Sequence, residues 1–222
     1  APAPPSAEAA ADPASAAPDS PLLADSAAAW RSAYVHVPFC RRRCPYCDFA
    51  VVAGGEWSGP VDRYVDAIVA EMAMEPAWGP LDAVNLGGGT PTSLDPAQLA
   101  RILTVLADRF GIAPGAEVSI EANPEDWDPG RWADLVGGGF TRISLGVQSF
   151  DPTVLGALGR AHGAGQGAAA VVGARQVGFR SVSLDLVFGA APEDPASWGD
   201  TVARALALQP DHLSAYALTV ER

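Results

Sequence analysis

Outside one short loop the sequence has no cysteine: its three thiols, Cys40, Cys44 and Cys47, all fall within the stretch CRRRCPYC of a 222-residue chain. That excludes a disulfide framework, because closing one pair inside so small a loop strands the third thiol and removes little chain entropy. No apolar run approaches the ~18 residues needed to span a bilayer, and the N-terminus lacks the basic-then-apolar layout of a signal peptide. Positive charge is scarce too, with 14 basic residues against 26 acidic ones and a net charge of −12. Such a field repels phosphate backbones and anionic lipid surfaces. The expectation is a cytoplasmic protein that spans no membrane and binds no nucleic acid, with thiols kept reduced as metal ligands.

Apolar side chains are plentiful, at 49% hydrophobic against 18% charged, enough for a sizeable core. Residues 1–29 are dominated by Ala, Pro and Ser and read as a disordered tail. Residues 30–222 form the expected core domain. Strands are expected at 33–37, 82–87, 117–122, 142–147, 181–188 and 212–220. Between the first two, Val61, Tyr64, Val65, Ile68, Val69 and Met72 fall on one helical face, and Leu99, Ile102, Leu103, Leu106 and Phe110 repeat the pattern. Further helices are expected at 130–137, 152–158, 165–177 and 196–208, ended by the glycines at 137–139 and by Gly178. Alternating strands and helices with right-handed crossovers give a curved parallel sheet, a partial (β/α)6 barrel whose site gathers at the strand C-terminal ends.

The residues after each strand fit that expectation: the cysteine loop, then GGGTPT (87–92), Glu121 in EANP, Gln148 in GVQSF, Asp185 and Thr219. Taken alone, C-x3-C-x2-C admits a zinc site completed by His36 or Asp48. It also admits an iron–sulfur cluster that leaves one iron open to an exogenous ligand, and this second reading is the stronger. The Gly triplet suits a tight turn or close backbone approach to an amino-acid-like head group. Glu121 and Asp185 interrupt apolar strands, so each needs a partner, either a ligand or an arginine such as Arg142 or Arg160. His36, His162 and His212 share no ligand spacing and read as core or surface residues. Arg41, Arg42 and Arg43 read as a docking patch or as solvated loop charges, and the six tryptophans as packing.

Together YVHVPFCRRRCPYCDF, GGGTPT, SIEANPE, RISLGVQSF, LGRAH and LDLVFGAAPED resemble the radical S-adenosylmethionine (SAM) superfamily, within it the oxygen-independent coproporphyrinogen III oxidase-like family. The resemblance runs from about Tyr34 to the last residue. It implies a [4Fe–4S] cluster on Cys40, Cys44 and Cys47 with SAM chelating the fourth iron. It also implies SAM contacts at Tyr34, Tyr46 (on the adenine side), Gly88, Gly89, Thr90, Glu121, Gln148, Arg160, Asp185 and Thr219. The family continues past the sixth strand into a smaller C-terminal domain, so the resemblance implies that this chain is C-terminally truncated. In the oxidase branch a fourth cysteine stands two residues after the third, where this sequence has Phe49 in CDF. The CPYCDF form resembles the haem chaperone branch instead. That implies haem as ligand, a reductant protein, and respiratory haem-acceptor proteins as partners, with a carrier favoured over a coproporphyrinogen III dehydrogenase.

Overall fold

A computed structural model describes residues 31–54, 58–77 and 79–219; the tail expected over residues 1–29 lies outside the described residues. Six parallel strands make the main sheet: β1 (Ser32–Val37), β4 (Leu81–Gly88), β5 (Ile112–Ala122), β6 (Arg142–Gln148), β7 (Ser181–Phe188) and β8 (His212–Ala217). They lie side by side in chain order, every neighbouring pair parallel. Phe39–Cys40 (β2) and Val52–Ala53 (β3) pair separately and frame the cysteine loop.

Each crossover carries helix: α1 (Ser58–Met74), α2 (Pro96–Phe110), α3 (Pro129–Gly137), α4 (Pro152–Ala157) with α5 (Ala164–Val177), and α6 (Pro195–Ala207). Because strand order never reverses, crossovers of one hand stack their helices on one face. Accordingly α1 packs on α2, α2 on α3 and α3 on α5. Four of these helices open on Asp-Pro. Asp95, Asp128, Asp151 and Asp194 each accept a backbone N–H of the first turn, and the following proline fills N1, where no donor is needed. At the end of α5, Gly178 takes the left-handed conformation expected of a helix stop.

The strands have two chemically different faces. Val35 and Val37, Val84 and Leu86, Val118 and Ile120, Ile143, Leu145 and Val147, and Val182, Leu184 and Leu186 are buried and form the core with the helices. Their alternates include Tyr34, His36, Asn85, Gly87, Ser119, Glu121, Ser144, Gly146, Gln148, Ser183 and Asp185. A parallel sheet covered by helices on both faces reads as continuous apolar runs. This sheet is covered on one face only, so the other can line a site. Trp132, buried against Trp127 and Phe179 in edge-on contacts, anchors the core between helices.

Candidate functional site

A cleft of about 450 Å³ opens at the C-terminal ends of the strands. The cysteine loop supplies Cys40, Cys44, Tyr46, Cys47 and Phe49; the segment after β4 supplies Gly88, Gly89 and Thr90. From β5, β6 and β7 come Glu121, Gln148 and Asp185, while Arg160 enters after α4 and Thr219 stands past the end of β8. Tyr34 alone among the residues expected at the site stays out of the lining. It is exposed on β1, with its hydroxyl 3.2 Å from His36 Nδ1.

The loop between β2 and β3 has no regular structure, and backbone bonds hold it. Cys47 N–H donates to Cys44 O at 3.0 Å, and the ends are closed by Val52 N–H to Pro38 O and Gly54 N–H to Cys40 O. Two of its arginines turn back onto the protein: Arg43 Nε donates to Cys47 O at 3.2 Å and Arg42 to Gly159 O. Arg41 makes an open ion pair with Asp126 at 3.7 Å, a geometry worth little in water. The triplet that reads as a docking patch or as solvated loop charges thus contributes two braces for the thiol loop.

The three thiols are free and partly buried. Burial pushes the Cys40 thiol up, with Cys47 and Cys44 adding to the effect and Thr90 opposing it. Cys44 Sγ accepts from Arg160 Nη1 at 3.4 Å, and Cys40 Sγ lies 3.6 Å from Thr90 Oγ1. Among the described residues no three Cys, His, Asp or Glu side chains are gathered around one ion position. A polynuclear cluster does not demand that, since each iron takes its own thiolate. The donor set suits such a cluster: three thiols, cationic and hydroxyl donors to two of them, and an Arg160 Nε that is buried without a partner among the described residues.

The Gly-rich segment lines the cleft at Gly88 and Gly89. Its N–H groups are already used, Gly88 donating to Glu121 Oε2 at 3.0 Å, Gly89 to Val37 O and Thr90 to Phe39 O. What it offers a ligand is carbonyls and a thin wall. Gly88 is required there because its φ is +113° and a Cβ would collide with the His36 ring.

Glu121 and Asp185 face one cleft, and among the described residues neither has an ion pair; Arg142 pairs with Glu117 instead. Burial raises the Glu121 carboxyl, the Gly88 N–H opposes this, and Asp185 raises it further. Burial likewise raises Asp185, against hydrogen bonds from Ser144 at 3.0 Å and from Ser214. Two acids held toward their neutral forms are chemically suited to a cationic or hydroxyl-rich ligand. Gln148 reaches the cleft through a local distortion: its φ is +65° and the β6–β7 register shifts between Leu145 and Gln148. A bulge of this kind re-aims a side chain at the cost of strain.

Beneath the cysteine loop, burial works against the Arg160 charge, but Tyr46, Cys44 and Glu125 outweigh it and stabilise the cation. Tyr46, half-buried beside it, has its phenol pushed up to about 12, chiefly by desolvation. Burial raises Glu125, but a 3.1 Å hydrogen bond with His162 helps bring it below the usual carboxylate range. His162 is a core histidine, its other nitrogen on Val147 O. His36 and His212 bond to Ala50 O and Ser183, so none of the three is gathered into a ligand set.

The sequence model of the radical SAM superfamily matches residues 34–204, the stretch that builds this sheet and cleft. The chain belongs to the radical SAM superfamily. Membership implies a [4Fe–4S] cluster and SAM as its cofactors. The chain is 44% identical over 194 residues to a Mycobacterium tuberculosis protein named heme chaperone HemW, covering 85% of this chain and 49% of that one. It is 37% identical over 200 residues to the oxygen-independent coproporphyrinogen III oxidase of Paracoccus denitrificans, covering 88% and 44%. The solved coproporphyrinogen III oxidase HemN of Escherichia coli, a radical SAM enzyme, superposes with a TM-score of 0.79 at 32% identity, covering 86% of this chain and 44% of that one. The chain thus spans about half the length of these relatives.

Ser144, Gly146 and Asn123 also line the cleft, and the sequence reading did not select them. The signal for the first two was present. In RISLGVQ the apolar residues alternate strictly with Ser144, Gly146 and Gln148, which marks one face of β6 as uncovered. Gly146 also leaves room for its neighbours, since a Cβ there would stand 2.8 Å from Gln148 Nε2.

Proposed function

We propose that this chain is the cofactor-binding core of a haem chaperone: it holds a [4Fe–4S] cluster on Cys40, Cys44 and Cys47, binds SAM against Glu121, Gln148, Arg160 and Asp185, and carries haem for delivery to respiratory acceptor proteins. The observation that carries the reading is Phe49. It stands two residues after the third thiol, where the oxidase pattern has a cysteine, and its ring is 64% exposed on the lining of the cleft. Val51, Tyr216 and Leu218 line the same cleft, Tyr216 also largely exposed. An apolar rim beside a thiol-bearing pocket suits a broad flat ligand such as haem. The 44% identity to a protein named heme chaperone supports the same reading.

Cys40, Cys44 and Cys47 would hold the cluster, which would supply an open iron position for the SAM head group. The chain's own residues then do the positioning. Asp185 and Glu121 accept from SAM hydroxyl and amino groups, and the carbonyls of Gly88 and Gly89 line the head-group side. Tyr46, packed on Val154, Leu158, Val187 and Ala190 with Leu218, gives the adenine a firm apolar floor, and Thr219 closes the far end. A reductant protein and a cytoplasmic setting complete the proposal.

The second reading, a coproporphyrinogen III oxidase, is favoured by the likeness to the Paracoccus enzyme and to the HemN fold. Anaerobic reconstitution followed by iron and sulfide analysis, then haem addition and desalting, separates the two. Under the chaperone reading haem is retained without SAM cleavage, and Phe49→Ala lowers retention severalfold at unchanged iron and sulfide content. Many turnovers of coproporphyrinogen III with SAM and reductant, together with loss of haem on the column, would overturn it.

A further inference from the structure

Asn123 follows β5 and is half-buried. Its amide oxygen accepts from Arg160 Nη2 at 2.5 Å, and its amide nitrogen donates to Thr90 Oγ1 at 3.0 Å. The amide orientation is fixed by chemistry, because a guanidinium can only donate and so must face the oxygen. Each partner touches a thiol of the loop. Arg160 Nη1 donates to Cys44 Sγ at 3.4 Å, and Thr90 Oγ1 is 3.6 Å from Cys40 Sγ. Since Thr90 already accepts from Asn123, its own hydroxyl hydrogen is left to point at sulfur. Arg160 is steadied from the other side by Gly146 O at 2.9 Å.

The geometry points to Asn123 as a positioning residue that, through Thr90 and Arg160, aims one hydrogen-bond donor at each of two cluster thiolates and so sets the cluster's reduction potential. The inference rests on the cluster assigned above. Donors to ligating sulfur stabilise the reduced, more negative cluster and raise its potential. A single amide thereby ties two ligands that are four residues apart in the loop to a strand end on the opposite side of the cleft.

The test is a potentiometric titration of the reconstituted chain, with the reduced cluster read by electron paramagnetic resonance. Asn123→Ala should move the midpoint to lower potential. Asn123→Asp should move it further, because the carboxylate adds negative charge and takes the Thr90 hydroxyl for itself. Thr90→Val should lower it through Cys40 alone. Adding Thr90→Val to Asn123→Ala should give less than the sum of the two shifts, since both act on the same donor. An unchanged midpoint in a fully loaded Asn123→Ala chain, or shifts that add, overturns the inference. Where a variant loads poorly, the side-chain amide of Asn123 in the cluster-free wild-type chain provides an independent readout. One slowly exchanging amide proton whose resonance moves in Thr90→Val supports the relay, and rapid exchange of both protons overturns it. Failure of the wild-type chain to take up iron and sulfide would instead tell against the cofactor reading, and the amide measurement still decides the role of Asn123.

Discussion

On one side of the cleft, residues 41–51 run between β2 and β3 without regular structure, and backbone bonds and two inward-turned arginines hold their thiols. On the other side, β5, β6 and β7 present Glu121, Gln148 and Asp185 from a paired parallel sheet, interrupted only by the register shift that turns Gln148 inward. The sheet wall is geometrically finished without a ligand and electrostatically unfinished, since two half-buried carboxyls share it with no ion pair among the described residues. The loop is the reverse: two of its three thiols, Cys44 and Cys47, sit on irregular backbone, and the cluster would supply the geometry. A ligand that bridges the walls relieves charge on one side and orders chain on the other.

The comparison breaks most visibly at the loop. Cys44→Ala should abolish [4Fe–4S] loading, because two thiolates do not hold the cluster, while the melting temperature of the cluster-free chain changes little. Iron and sulfide analysis beside calorimetry checks this, and retention of a full complement of iron in the variant would refute the ligand assignment. On the sheet wall the effect is smaller and of opposite kind. Asp185→Asn should weaken SAM by about 1 to 3 kcal/mol through loss of a charge-assisted hydrogen bond, with the free protein as stable as before or more so. Equal dissociation constants by titration calorimetry would mean that Asp185 serves the sheet and not the ligand.

The smallest effect sharpens the electrostatic half. Glu121 has its folded-state carboxyl raised, chiefly by burial. The stabilisation from its neutral form is therefore fully present below the ordinary carboxylate pKa and is lost as pH rises through the raised value. Glu121→Gln keeps an oxygen for the Gly88 N–H and removes the charge. It should raise the melting temperature of the ligand-free chain at neutral pH by a few degrees at most, corresponding to about 1 kcal/mol or less. That gain should fade on acidification toward about pH 4. Melting curves across this range that run parallel for the two proteins would remove charge burial from the account.

Much of this was legible in the sequence for physical reasons. The two long apolar stripes at 61–72 and 99–110 gave α1 and α2, and the three-thiol spacing located the loop, because both signals are local. The start of β5 was hidden: the strand was expected over 117–122, yet it begins at Ile112 and takes in Pro114 and Gly115, with a register shift against β4. The two-residue pair β2–β3 is too short to carry a period. Asn123 was missed because its meaning lies in Thr90 and Arg160, 33 and 37 residues away, which only the sheet register brings to it. For the same reason Arg42 and Arg43 looked like free charge.

The in-order parallel sheet carries a consequence for how the protein matures. Every neighbouring pair is joined by a crossover, so no hairpin can form early and each ladder must wait for a long loop to close. The cleft draws on residues from Cys40 to Thr219; it does not exist until the last ladder is in place. Binding across the whole cleft is therefore expected to follow folding, with the three thiols partly buried in the folded chain. Refolding should run at the same rate with and without iron and sulfide, a separation of assembly from loading that follows from topology alone.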